Sequence, residues 1–204
     1  MSAADHRTGT VESGDVRLLC RHFGSGGATP MLIYHGANYY DPADWIWVAS
    51  ALPTDREVMV WDTRGFGDSS WSASKNYSLD AQIDHAAAIM DHLGWDKAII
   101  GGHSMGGRHA IVFSSRMPER THATVVIDHF PGVGGGTLSF DQSVGNEAKV
   151  FKTVEVAHAV MSREPPTDEA GWQCVRDALK PVDGGFVFRR YPDFINPIPV
   201  GIDG

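Results

Sequence analysis

Gly102-His103-Ser104-Met105-Gly106-Gly107 places one serine between two glycines directly after an apolar run, Lys97-Ala98-Ile99-Ile100-Gly101, that reads as a buried strand. A serine that serves as a nucleophile must stand clear of a sheet at a sharp strand-to-helix turn, and that turn is so tight that the positions two before and two after it tolerate only small residues. Both are glycine here. The stretch that follows, Arg108 to Met117, carries apolar residues at helical spacing and stops at Pro118, so the pattern predicts strand, turn and helix in that order. A glycine-rich turn that merely contains serine would not require this context.

The segments on either side repeat the same alternation. A hairpin is predicted from Gly9 to Val11, a Ser13-Gly14-Asp15 turn, and Val16 to Phe23. Met31 to Tyr34 is a short apolar strand running into His35-Gly36-Ala37-Asn38, and Pro42-Ala43-Asp44 opens a helix to about Leu52. Glu57 to Trp61 is the next strand and ends in Asp62-Thr63-Arg64-Gly65-Phe66-Gly67-Asp68-Ser69. A helix capped by Ser78 follows, with apolar residues at Leu79, Ile83, Ala86, Ala87, Met90 and Leu93 and a terminating Gly94. Beyond the serine turn and its helix, Ala123 to Ile127 forms a strand that reaches Asp128. Strands alternating with helices in this way specify a mostly parallel sheet covered by helices on both faces.

Composition narrows the class without choosing it. At 204 residues with 42% hydrophobic residues the chain has ample material for a core, and a net charge of −8 without a basic run or face excludes nucleic acid and anionic membrane surfaces as partners. The start, Met1-Ser2-Ala3-Ala4-Asp5-His6-Arg7, has no apolar signal region, and no stretch reaches the ~18 apolar residues of a membrane span. A soluble cytoplasmic protein is expected. Cys20 and Cys174 are expected to be reduced buried thiols, since nothing marks the chain as secreted. There is no internal repeat.

Four pieces in order, His35-Gly36, Asp62-x-Arg64-Gly65-x-Gly67-x-Ser69, Gly102-x-Ser104-x-Gly106-Gly107 and Asp128, follow the third, fourth, fifth and sixth strands. In these the chain resembles the α/β-hydrolase superfamily over nearly its whole length. The resemblance implies an α/β-hydrolase fold with a small helical cap inserted after the sixth strand. It divides the chain into a core at 1–131, a cap at 132–190 with helices at about Asn146 to Arg163 and Asp168 to Leu179, and a return to the core at 191–204. Caps exclude water and shape a substrate pocket.

It also implies roles. Ser104 is the candidate nucleophile, and the backbone N–H groups of Met105, at a helix start, and of Ala37 are the candidate oxyanion donors, with Asn38 the alternative to Ala37. Asp128 is the candidate acid, because a subset of the superfamily carries its acid after the sixth strand rather than the seventh. His35 reads as a brace for its loop, His103 points off the turn, and Arg64 and Asp68 are expected as loop braces. His35, Asn38, Tyr39, His103, His129 and Phe130 are the candidate pocket residues. Tyr40, Trp45, Trp47, Phe66 and Trp172 line such a pocket or pack the core, and Arg108, Arg189 and Arg190 meet a substrate carboxylate or brace structure.

The base is the gap. In the resembled family the catalytic histidine follows an eighth strand, and none of the ten histidines sits there; Asn196 to Gly204 reads as a seventh strand. A companion segment of roughly 60 to 80 residues carrying the histidine is therefore expected. Three functions follow: a serine hydrolase of a small-molecule ester, amide, lactone or similar carbonyl; another activity of this fold, such as a C–C hydrolase or a cofactor-independent dioxygenase; or a non-catalytic binding protein. Serine at the turn excludes haloalkane-dehalogenase chemistry, which needs a carboxylate there. The expected partner is a small-molecule substrate, with no cofactor and no metal, and self-association is left open.

Overall fold

Side chains that alternate across each central strand build the sheet. In β3 (Ala28–Tyr34) and β4 (Arg56–Trp61), Leu32, Tyr34, Met59 and Trp61 face one core while Ile33, Val58 and Val60 face another, so both faces are buried. With β1 (Arg7–Ser13), β2 (Val16–Phe23), β5 (Ala98–His103) and β6 (Thr121–Ile127) they form one six-stranded sheet in the order β1-β2-β4-β3-β5-β6. The pairs β3–β4, β3–β5 and β5–β6 are parallel, and the β1–β2 hairpin joins β4 antiparallel. The computed structural model describes residues 6–36, 41–53, 55–129, 150–161 and 164–189. They fall into two compact units that divide after His129.

Helices cover both faces. Ile83, Ala86, Ile89 and Met90 of α2 (Leu79–Leu93) and Ala110, Val112 and Phe113 of α3 (Met105–Arg116) share a core with Leu18, Leu32 and Ile100. On the other face Trp45 and Ala49 of α1 (Asp41–Ala51) pack with Phe23, Ile33 and Val60. The Ser78 hydroxyl accepts from Ala81 N–H and Gly94 takes the left-handed conformation at φ 69°, so both predicted ends of α2 are where the capping chemistry put them.

Two buried polar hubs fix the carboxyl-end loops. Asp62 is gripped by Arg21 at 2.6 and 3.3 Å and accepts the Asp68 N–H at 2.9 Å. Gly67, at φ 53°, lies so close that a Cβ there would fall 2.2 Å from the Asp62 carboxylate. Asp62 is thus a bracing carboxylate, and Asp68 joins this hub through its backbone N–H. In the second hub Arg64 Nε donates to His85 Nε2 at 2.7 Å, and Arg64 also reaches Asp15 at 3.2 Å. His85 Nδ1 then carries the proton, donated to Ser13 Oγ at 2.7 Å.

Three details depart from the sequence reading. β6 is an edge strand among the described residues, with Val125, Val126 and Ile127 exposed, because an apolar run does not reveal how many neighbours a strand has. In the second unit the first helix is shorter than expected, α4 (Val154–Met161), and α5 (Glu169–Asp177) is capped by Asp168. That unit is also not purely helical: β7 (Leu179–Val182) and β8 (Gly185–Phe188) form a hairpin, with Phe151 and Phe186 exchanging backbone hydrogen bonds at 2.8 Å. The Asp183-Gly184-Gly185 turn makes it, since Gly184 sits at φ 84° and a Cβ on Gly185 would fall 2.0 Å from Phe151 O. The segment expected as a seventh strand lies outside the described residues.

Burial, reinforced by Arg64 for His85 and by Arg108 for His109, pushes both imidazoles from the usual 6.5 down to about 3. The folded chain therefore binds fewer protons than the unfolded one below pH 6.5, so this stability is complete above pH 6.5 and is lost progressively as the pH falls towards 3. Thermal denaturation should show a Tm lower at pH 4 than at pH 7 by on the order of 10 °C. His85→Gln, which keeps an acceptor for Arg64 and a donor for Ser13 but cannot titrate, should lose less. An identical pH dependence for variant and wild type would contradict the assignment.

Candidate active site

Ser104 stands between β5 and α3 at φ 51°, ψ −117°, a conformation L-residues rarely adopt. Backbone closeness on both sides enforces it. A Cβ on Gly102 would lie 2.0 Å from Gly106 O, and one on Gly106 would lie 2.4 Å from Tyr34 O and 2.5 Å from His35 O. The turn is held by the Ser104 N–H, which donates to Ile127 O at 2.9 Å, and by the Ser104 carbonyl, which accepts from Arg108 N at 3.2 Å. Met105, Gly106 and Gly107 form the first turn of α3, so their amides have no acceptor within the helix and point positive dipole at whatever sits beside Ser104.

Register brings Asp128 alongside. His103 pairs with Ile127 across β5 and β6, which makes Ser104 and Asp128 the next residues on adjacent strands. Both adopt φ 51°. The Asp128 side chain is 81% exposed, and its Oδ2 lies 3.7 Å from His103 Nε2. A Cβ on Gly107 would fall 2.9 Å from the His129 Cβ, so the segment after β6 runs against the first turn of α3.

The other predicted residues sort differently. His35 is fully buried, with Nε2 accepting the Thr63 N–H at 3.0 Å and Nδ1 donating to Gly36 O at 2.6 Å, so both ring nitrogens are engaged in bracing. Phe66 is likewise buried, edge-on against the His35 ring at 4.9 Å. Burial first, then Arg108, lowers the pKa of His129. Trp45 packs in the α1 core and Trp47 is half-buried. Arg108 is half-buried on α3; in the second unit Arg189 Nε donates to Leu179 O at 2.9 Å, and Trp172 meets the His158 ring at 5.4 Å. Ala37, Asn38, Tyr39, Tyr40, Phe130 and Arg190 lie outside the described residues.

Sequence reasoning missed the support beneath the turn. His109 is fully buried on the inner face of α3, edge-on to Tyr34 at 5.3 Å, and the Tyr34 hydroxyl donates to Gln82 O at 3.3 Å. The available signal was helical spacing, which carries His109 onto the same inner face as Gly106 and Phe113. Among the described residues no cluster of histidine, cysteine or carboxylate side chains could hold a metal ion, and no helix is long and apolar enough to cross a membrane.

The sequence profile of the alpha/beta hydrolase fold family matches residues 29–139. The chain is similar to a 2-hydroxymuconate semialdehyde hydrolase of Pseudomonas sp. (strain CF600), 32% identical over 126 residues that make up 61% of this chain and 42% of the relative. It is also similar to a 2-(acetamidomethylene)succinate hydrolase of Mesorhizobium japonicum, 26% identical over 90% of this chain and 66% of the relative. Among solved structures, an alpha/beta hydrolase from Novosphingobium aromaticivorans superposes with a TM-score of 0.78 at 22% identity, covering 98% of this chain and 74% of that one. The chain spans about two fifths of the length of the semialdehyde hydrolase.

The glycine contacts give a direct test. Gly106→Ala should destabilise the protein by on the order of 3 kcal/mol or leave it insoluble, because the new methyl meets two rigid carbonyls. Gly9→Ala, in β1 with nothing within 4 Å of its Cβ, should change Tm little. Equal Tm values for the two variants would contradict the close approach.

Proposed function

Because the chain belongs to the alpha/beta hydrolase fold family, we propose that it supplies the nucleophile and the acid of a serine hydrolase acting on a small-molecule ester, amide or related carbonyl compound. The observation that carries this reading is the strained Ser104 turn with the first turn of α3 starting directly after it. Ser104 Oγ attacks the carbonyl carbon while its proton passes to a base, and the carbonyl π pair moves onto oxygen. The Met105 N–H, with the Ala37 N–H as second donor, stabilises that oxyanion. Collapse expels the leaving group, which takes the proton back from the base, and water then releases the acyl group from Ser104 by the same steps. Asp128 orients the base and stabilises its cationic form.

For the base we propose a histidine on a further segment that pairs with the outer edge of β6. His35 and His85 have both ring nitrogens engaged, and His109 is sealed in the core. Among the described residues β6 is paired on one side only and leaves Val125, Val126 and Ile127 exposed, an edge suited to a neighbouring strand. Hydrolysis of a C–C bond next to a carbonyl is a second reading that uses the same groups. Likeness to a relative named for 2-hydroxymuconate semialdehyde favours it, since that name carries no ester or amide.

Ser104→Ala should lower kcat on p-nitrophenyl acetate by at least ~10³-fold with an unchanged circular dichroism spectrum, and Asp128→Asn should lower it by up to ~10⁴-fold. Turnover near wild type by the serine variant would end the assignment. Denaturing intact-mass spectrometry of active protein should show either added mass or a second polypeptide. Full activity from a species of 22.2 kDa alone would refute the companion segment and return the role of base to a histidine within these residues.

A further inference from the structure

We propose that His103 is a positioning residue: its imidazole holds the Asp128 carboxylate in place beside the Ser104 turn. The inference rests on the reading of Asp128 as the acid. An acid that orients a base must present its oxygens within a few tenths of an ångström and a few tens of degrees of one geometry. Asp128 is poorly placed to do so alone. Among the described residues its side chain is 81% exposed and follows the last residue of an edge strand, so water and free rotation compete for it until the segment that carries the base is seated.

His103 supplies the restraint. Its Nε2 lies 3.7 Å from Asp128 Oδ2, and its own side chain is 26% exposed. It is the last residue of β5, paired in register with Ile127, and it is bonded directly to Ser104. The ring that touches the acid therefore moves with the nucleophile, and the left-handed backbone shared by Ser104 and Asp128 at φ 51° brings the two strand ends out side by side. At this separation the interaction is one of charge and dipole rather than a direct hydrogen bond, and exposed pairs of this kind are weak. His103 should therefore tune the rate severalfold and not switch it.

A double-mutant cycle in the full chain reads this directly. The rate at which a fluorophosphonate labels Ser104, with the adduct mapped by peptide mass spectrometry, is measured for wild type, His103→Leu, Asp128→Asn, the double variant and His103→Gln. His103→Gln should recover most of the roughly fivefold slowing caused by His103→Leu, because its amide keeps an N–H dipole near the carboxylate, and the loss should vanish in the Asp128→Asn background. Ring ¹⁵N resonances of His103 should shift between wild type and Asp128→Asn, a readout that needs no activity. An equal slowing in both backgrounds, or none in either, would overturn the proposal while leaving Asp128 as the acid. Wild-type labelling by Asp128→Asn would instead remove the acid reading, and the positioning role with it.

Discussion

The rest of the molecule is arranged around an absence of space. Gly106 passes so near the carbonyls of Tyr34 and His35, and Gly102 so near Gly106, that built Cβ atoms would fall 2.0 to 2.5 Å from backbone. No side chain fits, so the chain turns within one residue from β5 into α3, and Ser104 takes φ 51°. A non-glycine residue held in that region costs on the order of 1–3 kcal/mol and persists only where its surroundings over-determine it. Here the surroundings are three hydrogen-bonded parallel neighbours, β3, β5 and β6, with the Ser104 N–H tied to Ile127 O at 2.9 Å. The same ladder that imposes the turn brings Asp128 to the position beside it.

Buried polar groups keep the surrounding loops from relaxing. His35 joins the loop after β3 to Thr63 in the loop after β4, and Asp62 ties that second loop to Arg21 on β2. Arg64 and His85 join it in turn to the β1–β2 turn and to α2. Each imidazole in these braces works as a neutral ring with one donor and one acceptor, which is a stable arrangement only while the ring stays unprotonated. Two of the ten histidines, His35 and His85, are thus committed to structure.

Much of this was legible in the chain because local rules and global fold agree. The glycine pair at 102 and 106, the Ser78 and Gly94 ends of α2, and the apolar runs of β3, β4 and β5 each have one physical explanation, and the structure uses it. What was not legible depends on partners distant in sequence. Asp68 reads as a loop brace beside Asp62, yet only the placement of Arg21 on the neighbouring strand shows that Asp62 carries the bridge. Phe66 reads equally as pocket or core until His35 is found against its ring. β6 looks like any buried strand until its pairing, on one side alone among the described residues, is seen. The β7–β8 hairpin was not legible because its strands are only four residues each, too short for an alternating pattern to stand out beside the helical spacing before them.

The central claim is that the turn after β5 presents Ser104 Oγ to a carbonyl carbon and the α3 amides to the oxygen that becomes negative. A crystal structure of the phosphonylated protein tests it most directly, because the tetrahedral phosphorus imitates the intermediate. The account predicts a covalent bond to Ser104 Oγ with the phosphoryl oxygen within hydrogen-bond distance of the Met105 N–H. Attachment at another residue, or a phosphoryl oxygen turned to solvent away from α3, would contradict it.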